Sequence, residues 1–103
     1  MREVFWTSSG LSDLIDILEW IAHDDPAAAR HVVARLEAAG EALGFMATGR
    51  KGRVPSTYEK VVTGLPWIVV YSISKEPNGR EKVVILRVIH GRRDWWPRTT
   101  PAD

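Results

Sequence analysis

Apolar residues recur at helical spacing in two segments of the N-terminal half. The first set has the i, i+3, i+4, i+7 pattern of an amphipathic helix and consists of Leu11, Leu14, Ile15, Leu18, Ile21 and Ala22. The preceding "TSS" offers hydroxyl groups that can cap its start. The second set consists of Ala29, Val32, Val33, Leu36, Ala39, Ala42 and Leu43. Asp25 can cap this second helix and Pro26 fits its first position, and so short a connection predicts an antiparallel helix hairpin.

The pattern changes to β-type on both sides of this hairpin. "REVFWT" is a short β-rich run before it, and "ATGRKGRVPST" after it contains two glycines and a proline, which predict a basic loop. The three β segments that follow are "YEKVVTG", "WIVVYSISK" and "EKVVILRVIH". Asn78-Gly79 predicts a hairpin between the last two. We expect one α+β domain over residues 1–103, in the order βααβββ.

The final strand is apolar on both of its faces. Strict alternation places Val84, Leu86 and Val88 on one face, and the opposite face receives Val83, Ile85, Arg87 and Ile89. A strand with two apolar faces is expected in the centre of a sheet. If the helices cover the face of Val84, then Arg87 projects from the opposite face, away from the helices. His90 ends the strand next to Gly91, where the chain can turn.

Charge is distributed unevenly along the chain, although the net charge is only +1. Residues 1–46 carry three arginines against eight carboxylates, a net charge of −5, and residues 47–103 carry eleven basic against five acidic side chains, a net charge of +6. A basic C-terminal half is typical of a surface for phosphates or for an acidic protein partner, and solvated charge is the simpler alternative.

Composition excludes several other classes of protein. The chain is 45% hydrophobic and 26% charged, and its apolar runs are far shorter than a membrane span. It contains no cysteine, and its first residues lack the pattern of a signal peptide, so we expect a cytoplasmic protein. The spacing of its His, Asp and Glu residues indicates no metal site, and nothing predicts an organic cofactor.

Several segments, taken in order, resemble the RelE/ParE superfamily of toxins from bacterial type II toxin–antitoxin modules. They are "DLIDILEWIAHDDPAAARHVVARLEAAG", "GRVPSTYEKVV", "LPWIVVYSI" and "ILRVIHGRRDWW". The resemblance covers nearly the whole chain. It implies a microbial-RNase-like fold, with a two-helix hairpin on one face of a twisted, mainly antiparallel sheet. It also implies an antitoxin encoded nearby, which folds onto the toxin and neutralises it as a hetero-oligomer.

The superfamily contains two activities, and the residues favour one of them. RelE-like members cleave messenger RNA on the ribosome, and a metal-independent cleavage of that kind could use Arg87, His90 and Arg53 here, with Glu59 or Tyr71 as a helper. ParE-like members poison DNA gyrase. "WIVVYSIS" contributes no basic residue and "YEKVV" only one lysine, whereas the nucleases carry several on these strands. The ParE-like subgroup is therefore favoured. Whether the chain is an enzyme is left open.

Other candidate positions also have alternative interpretations. The residues expected to contact a nucleic acid or a protein target are Arg50, Lys51, Lys60, Arg92 and Arg93. Trp95 and Trp96 could contact the antitoxin or a second copy of the chain, or could close one end of the core. Arg87 could instead form a salt bridge at a sheet edge, and His90 could be a hydrogen-bonded turn residue.

A noncatalytic nucleic-acid-binding module is a further alternative, although no helix-turn-helix pattern is evident. His23 and His31 lie on predicted polar helix faces, where we expect them to be solvated. A partner that covers the basic and aromatic surface should present apolar anchors and carboxylates.

Overall fold

The structure, a computed structural model, describes residues 1–92, so the predictions for Arg93, Trp95 and Trp96 lie outside the described residues. The elements are β1 (Glu3–Trp6), α1 (Ser8–Ala22), α2 (Pro26–Ala42), β2 (Arg50–Lys51), β3 (Tyr58–Val61), β4 (Trp67–Lys75) and β5 (Glu81–His90). The elements of the predicted order βααβββ are all present in that order, and the structure adds one short strand, β2. Arg50 and Lys51, expected in a loop, form a two-residue strand because they pair with Glu59 and Tyr58 of β3.

The five strands form one mixed sheet in the order β1-β5-β4-β3-β2. Only β1 and β5 run parallel, and the other neighbours are antiparallel. The predicted central position of the last strand is confirmed, since β5 lies between β1 and β4. The predicted hairpin is confirmed as well, with a connection over residues 76–80 in which the Glu76 N–H donates to the Arg80 carbonyl at 2.7 Å. Gly79 there has a φ of 85°, which favours glycine.

Both helices begin at the residues that the sequence indicates. The Thr7 hydroxyl accepts a hydrogen bond from the Gly10 N–H at 3.0 Å, and the Asp25 carboxylate accepts one from the Ala28 N–H at 3.0 Å. Pro26 occupies the first turn of α2. Proline has no backbone N–H, and an N–H in the first turn has no carbonyl partner within the helix, so no hydrogen bond is lost there. Within residues 1–92, neither helix is long and apolar enough to cross a membrane.

The main core lies between the helix hairpin and one face of the sheet. Its buried members are Leu14, Ile17, Leu36, Leu43, Val62, Val69, Tyr71, Val83, Ile85 and Val88. A smaller buried cluster of Ile68, Val70 and Ile89, with Leu86 packed against it, is separate from the main core. The apolar stripe predicted for α1 is only partly covered, because Leu11 and Ile15 are exposed.

The expected alternation along the last strand is wrong after Ile85. Tyr71 pairs with Ile85 and Val70 pairs with Arg87, so Leu86 is an extra residue in a β-bulge. The helices therefore cover Val83, Ile85 and Val88, whereas Leu86 and Ile89 pack in the smaller cluster. The expectation that the helices cover Val84 and Leu86 is wrong because the helices pack on the face of Val83 and Ile85, and the bulge then places Val88 on that same face.

Gly40 allows α2 to approach the sheet closely. A Cβ atom at this position would lie 2.5 Å from Cζ2 of Trp6 and 2.7 Å from Cδ1 of Ile85. Alanine usually stabilises a helix relative to glycine, but we expect Gly40→Ala to lower the free energy of unfolding by about 1–2 kcal/mol because both neighbours belong to packed regions. Urea denaturation followed by tryptophan fluorescence measures the change.

The matched control is Ala38→Gly at an exposed position of the same helix. It should lower the free energy of unfolding by about 1 kcal/mol through helix propensity alone. Alanine would then be the better residue at position 38 and the worse one at position 40. A Gly40→Ala variant more stable than the wild type would contradict the packing argument.

Candidate functional site

The edge of β5 beyond the bulge is covered by the start of α1. β1 ends at Trp6, opposite Ile85, so the next backbone groups of β5 have no strand on that side. The Thr7 N–H donates to the Ile85 carbonyl at 3.0 Å, and the Thr7 hydroxyl donates to the Leu86 carbonyl at 3.0 Å. The Asp13 carboxylate accepts a hydrogen bond from the Val88 N–H at 2.8 Å. Side chains of the Thr7–Asp13 segment thus replace a neighbouring strand.

Arg87 forms a two-point ion pair with the same carboxylate. Its Nε lies 2.7 Å from Oδ2 of Asp13, and its Nη2 lies 3.1 Å from Oδ1. The hydrogen bonds that Arg87 donates to Asp13 raise the pKa of Arg87 further above its ordinary value, against the opposing effect of burial. The expectation that Arg87 points away from the helices is wrong, because β1 ends opposite Ile85 and leaves that edge of β5 open to Asp13 of α1. The alternative interpretation, a salt bridge at a sheet edge, is confirmed.

An aromatic cleft of about 480 Å³ adjoins this ion pair. It is lined by Asp13, Asp16, Ile17, Trp20, Trp67, Arg87, Val88, Ile89 and His90. The Trp67 ring packs edge-on against Trp20, with centroids 6.4 Å apart, and against His90, with centroids 5.3 Å apart. Nδ1 of His90 accepts a hydrogen bond from the Arg92 N–H at 3.3 Å, as expected of a turn residue. The imidazole is therefore held by the Trp67 ring and by the Arg92 N–H. The Trp20 side chain remains 72% exposed.

A buried carboxylate organises the basic loop near the β2 edge of the sheet, on the same face as Arg87. Glu59 is only 2% exposed, and its oxygens accept from Nη2 of Arg50 at 3.2 Å and from the backbone N–H and Nε of Arg53 at 3.1 and 3.3 Å. Burial favours a higher pKa for Glu59, but the hydrogen bonds from the two arginines outweigh it and lower the pKa below its ordinary value. Glu59 is therefore an ionised structural anchor.

Tyr71 belongs to the main core. It is 1% exposed, it stacks on Tyr58 with centroids 5.4 Å apart, and its hydroxyl donates to the Thr48 carbonyl at 2.6 Å. Burial raises the pKa of Tyr71 above its ordinary value, and the neighbouring Tyr58 adds to the shift. A neutral phenol bonded to a backbone carbonyl packs the sheet against the 43–48 segment and is not presented to a substrate.

Comparison with known proteins identifies the family. The family model described as "ParE toxin of type II toxin-antitoxin system, parDE" matches residues 4–95. This chain belongs to the ParE toxin family. A Sinorhizobium fredii (strain NBRC 101917 / NGR234) protein described as "Putative toxin Y4kP" is 40% identical over 95 residues, which are 91% of this chain and 93% of that protein. As a ParE family member the chain is a type II toxin, and its system includes an antitoxin.

A solved structure supports the fold. The structure titled "Chromosomal ParDE TA system from P. aeruginosa" superimposes with a TM-score of 0.76 and covers 87% of this chain and 96% of its own. Its sequence identity is 20%, so the likeness is one of architecture. The predicted α+β class, with a helix hairpin on a mainly antiparallel sheet, is confirmed for this ParE family chain.

Within residues 1–92, the candidate residues of this ParE toxin are distributed over more than one region of the structure. Arg87 and His90 line the aromatic cleft, whereas Arg53 is bound to Glu59 beside β3. The candidate target-binding residues are also divided. Cross-strand partners share a face, so Arg50 lies on the face of Glu59, and Lys60 lies on the opposite face with its partner Val69.

The remaining candidate side chains lie on the sheet, at the end of β5 and on the helices. Lys51 is paired with Tyr58 and therefore shares the face of Lys60, and Arg92 is exposed just after β5. His23 and His31 are exposed, as predicted for solvated histidines. Within residues 1–92, no three side chains of His, Asp or Glu cluster in a way that could hold a metal ion.

Sequence reasoning missed Asp13, Trp20 and Trp67 as members of the cleft. A signal was available for two of them, because Asp13, Ile17 and Trp20 have the i, i+4, i+7 spacing of one helical face. Such a face carries one acidic, one aliphatic and one aromatic residue, which does not resemble a purely solvated surface. No local pattern points to Trp67, since its contact with α1 depends on the tertiary fold.

Proposed function

We propose that this ParE toxin acts on DNA gyrase in the cytoplasm, as one domain over residues 1–103, and that a cognate antitoxin neutralises it. The observation that carries the proposal is that the two arginines that RNA cleavage would need are held in ion pairs with carboxylates of the protein itself. Arg53 is bound to Glu59 of β3, and Arg87, two strands away on the same face of the sheet, is bound to Asp13 of α1. Binding to a protein target requires a complementary surface but does not require an assembled catalytic centre.

Metal-independent RNA cleavage requires a base, an acid and a cation at one phosphate. Neither helper considered for that reaction suits it, because Glu59 is ionised beneath two arginines and Tyr71 is a buried phenol. His90 retains a partly exposed ring in the cleft and could supply one proton transfer. One imidazole beside an ion-paired arginine is an incomplete set, which supports the gyrase target over the ribosome.

The exposed apolar residues support a protein partner. Leu11, Ile15 and Trp20 of α1 are 47%, 54% and 72% exposed, and Phe45 and Met46 after α2 are 76% and 69% exposed. Leu11 and Ile15 are four residues apart on α1 and are therefore neighbours, and contiguous exposed apolar side chains are typical of a surface that binds a partner. An antitoxin segment that covers part of this set would gain hydrophobic free energy on folding.

The decisive experiment combines purified protein with purified gyrase. The full chain is added to gyrase, ATP and supercoiled plasmid, and the products are treated with protease and detergent. We expect linear plasmid to accumulate in proportion to the toxin, and the antitoxin to prevent it. The negative control is Leu36→Asp, which places a carboxylate at a fully buried core position and prevents folding.

His90→Ala separates the two activities in growing cells. After induction, we expect wild-type toxin to cause chromosome damage while messenger RNA stays intact on translating ribosomes. Codon-phased message cuts that disappear in His90→Ala would contradict the gyrase proposal and favour a ribosome-dependent nuclease. The absence of both DNA damage and message cleavage, in cells that accumulate folded protein, would also contradict the gyrase proposal.

A further inference from the structure

The aromatic cleft presents an indole ring to solvent at one of its walls. Trp20 is 72% exposed, yet its ring is oriented by edge-on packing against Trp67, which is itself half-buried on the main core. The floor of the cleft includes the apolar side chains of Ile17 and Ile89. A large exposed ring with a fixed orientation beside an apolar floor is typical of a surface that binds a protein segment.

The charged side chains that line the cleft carry one more negative than positive charge. The Asp13 carboxylate is bound by Arg87 and by the Val88 N–H, so these two ionised groups compensate one another. Asp16 is exposed, and within residues 1–92 it has no hydrogen bond or ion pair, only a longer-range attraction to Arg87. Asp16 therefore leaves one negative charge at the cleft.

The position of this charge relative to Trp20 determines what can bind. Asp16 and Trp20 are four residues apart on α1, so their side chains are neighbours on one face of the helix. An indole face attracts a cation, and a carboxylate pairs with one. A guanidinium group suits both neighbours best, because it is planar and can stack while its N–H groups donate to the carboxylate.

We propose that the aromatic cleft is a docking site for a basic peptide segment of a protein partner, with an arginine side chain between Trp20 and Asp16. Apolar residues on either side of that arginine pack on Ile17 and Trp67. A nucleic acid is a poorer occupant, because its phosphates would meet the carboxylate of Asp16, whereas the Arg87 guanidinium is already bound to Asp13. The proposal goes beyond the gyrase target, since it does not depend on which protein supplies the segment.

The test is an NMR titration of the full chain with two short peptides. The probes are acetyl-Leu-Arg-Leu-amide and the same peptide with citrulline, which keeps the shape of arginine and lacks its charge. The Trp20 indole N–H signal is identified by its loss in Trp20→Leu. We expect the arginine peptide to shift this signal in a saturable way and to bind about fivefold more tightly than the citrulline peptide.

A matched pair of variants tests the role of the carboxylate. Asp16→Asn removes the charge at the cleft, and Asp24→Asn removes a charge from the exposed turn between α1 and α2, outside the cleft. We expect Asp16→Asn to weaken binding of the arginine peptide about fivefold, and Asp24→Asn to leave it unchanged.

Four outcomes would overturn the proposal. The first is equal binding of the two peptides, and the second is an equal loss of affinity for the arginine peptide in the two Asn variants. The third is a shift of the Trp20 signal by an oligothymidylate but not by the arginine peptide. The fourth is a shift of this signal caused by raising the concentration of the protein alone. The third would indicate a nucleic acid in the cleft, and the fourth would indicate a second copy of the chain. The gyrase assay is independent of all four, so a failure here is distinguishable from a failure of the proposed target.

Discussion

Asp13→Ala is expected to lower the free energy of unfolding by about 3 kcal/mol. The substitution removes the partner of Arg87 and leaves the Val88 N–H without its acceptor at a partly buried edge. Breaking a buried pair typically costs about 3–5 kcal/mol, but the Arg87 side chain is 37% exposed, which reduces the loss through solvent screening. The unpaired amide adds about 1 kcal/mol to that reduced loss. Chemical denaturation at pH 7 measures the total.

Asp16→Ala is the matched control for this prediction. Asp16 lies one turn further along α1 and is exposed, so its removal should change the free energy of unfolding by no more than about 0.5 kcal/mol. Asp13→Asn should fall between the wild type and Asp13→Ala, because an amide oxygen can still accept from Val88. An Asp13→Ala protein as stable as the Asp16→Ala protein would show that the ion pair contributes nothing.

The same variants show how a loss of toxicity at Arg87 should be interpreted. If Arg87 acts through Asp13, then Arg87→Ala and Asp13→Ala lower stability by similar amounts, and the double variant loses less than the sum of the two. A loss of toxicity that tracks this loss of stability is structural. An Arg87→Ala protein that is fully folded but nontoxic would instead indicate a direct contact with the target.

Local sequence patterns were sufficient to predict the helices and the hairpin. Helical spacing and the capping residues Thr7 and Asp25 are local features, and so is the turn at Asn78-Gly79. β2 was missed because two residues are too few to show any period, and they become a strand only by pairing with β3. Propensity and periodicity describe segments, whereas the pairing of short strands is decided by their neighbours.

The site could not be predicted in the same way, because its geometry depends on long-range contacts. The bulge at Leu86 arises from the register between β4 and β5, which strict alternation does not show, and the contact of Arg87 with α1 depends on where β1 ends. The partner of Arg87, Asp13, is 74 positions away and appears in the sequence only as one polar residue of an amphipathic helix. Glu59 likewise appears as an exposed strand residue until Arg50 and Arg53 fold over it.

Glu59→Gln is expected to lower the free energy of unfolding by about 2 kcal/mol at pH 7, because an amide loses the charge-assisted hydrogen bonds from Arg50 and Arg53. The pKa of Glu59 in the folded protein is lower than the ordinary value of 4.5, so its ionisation stabilises the folded state above about pH 4.5. This contribution is lost as the pH falls through the lowered pKa. The difference in the free energy of unfolding between wild type and Glu59→Gln should therefore become smaller as the solution is made acidic.

Glu76→Gln is the control for the acid experiment. Glu76 lies 3.8 Å from the Lys82 ammonium in a partly exposed pair, which should contribute less than about 0.5 kcal/mol at any pH. A gap between wild type and Glu59→Gln that stays constant from pH 7 to pH 3 would contradict the ionised state of Glu59.

Hydrogen exchange at Arg53 connects this carboxylate to the basic loop. The Arg53 amide donates directly to Glu59, so its exchange should accelerate in Glu59→Gln, while the Val88 amide, which is bound to Asp13, should keep its protection relative to global unfolding. Selective loss at Arg53 would mean that Glu59 holds the 50–57 loop in place without supporting the rest of the sheet. Equal acceleration at both amides would mean instead that Glu59 stabilises the whole fold. In the first case, replacement of Glu59 changes the basic surface around Arg50 and Arg53 while the aromatic cleft stays intact, which allows the two surfaces to be tested separately.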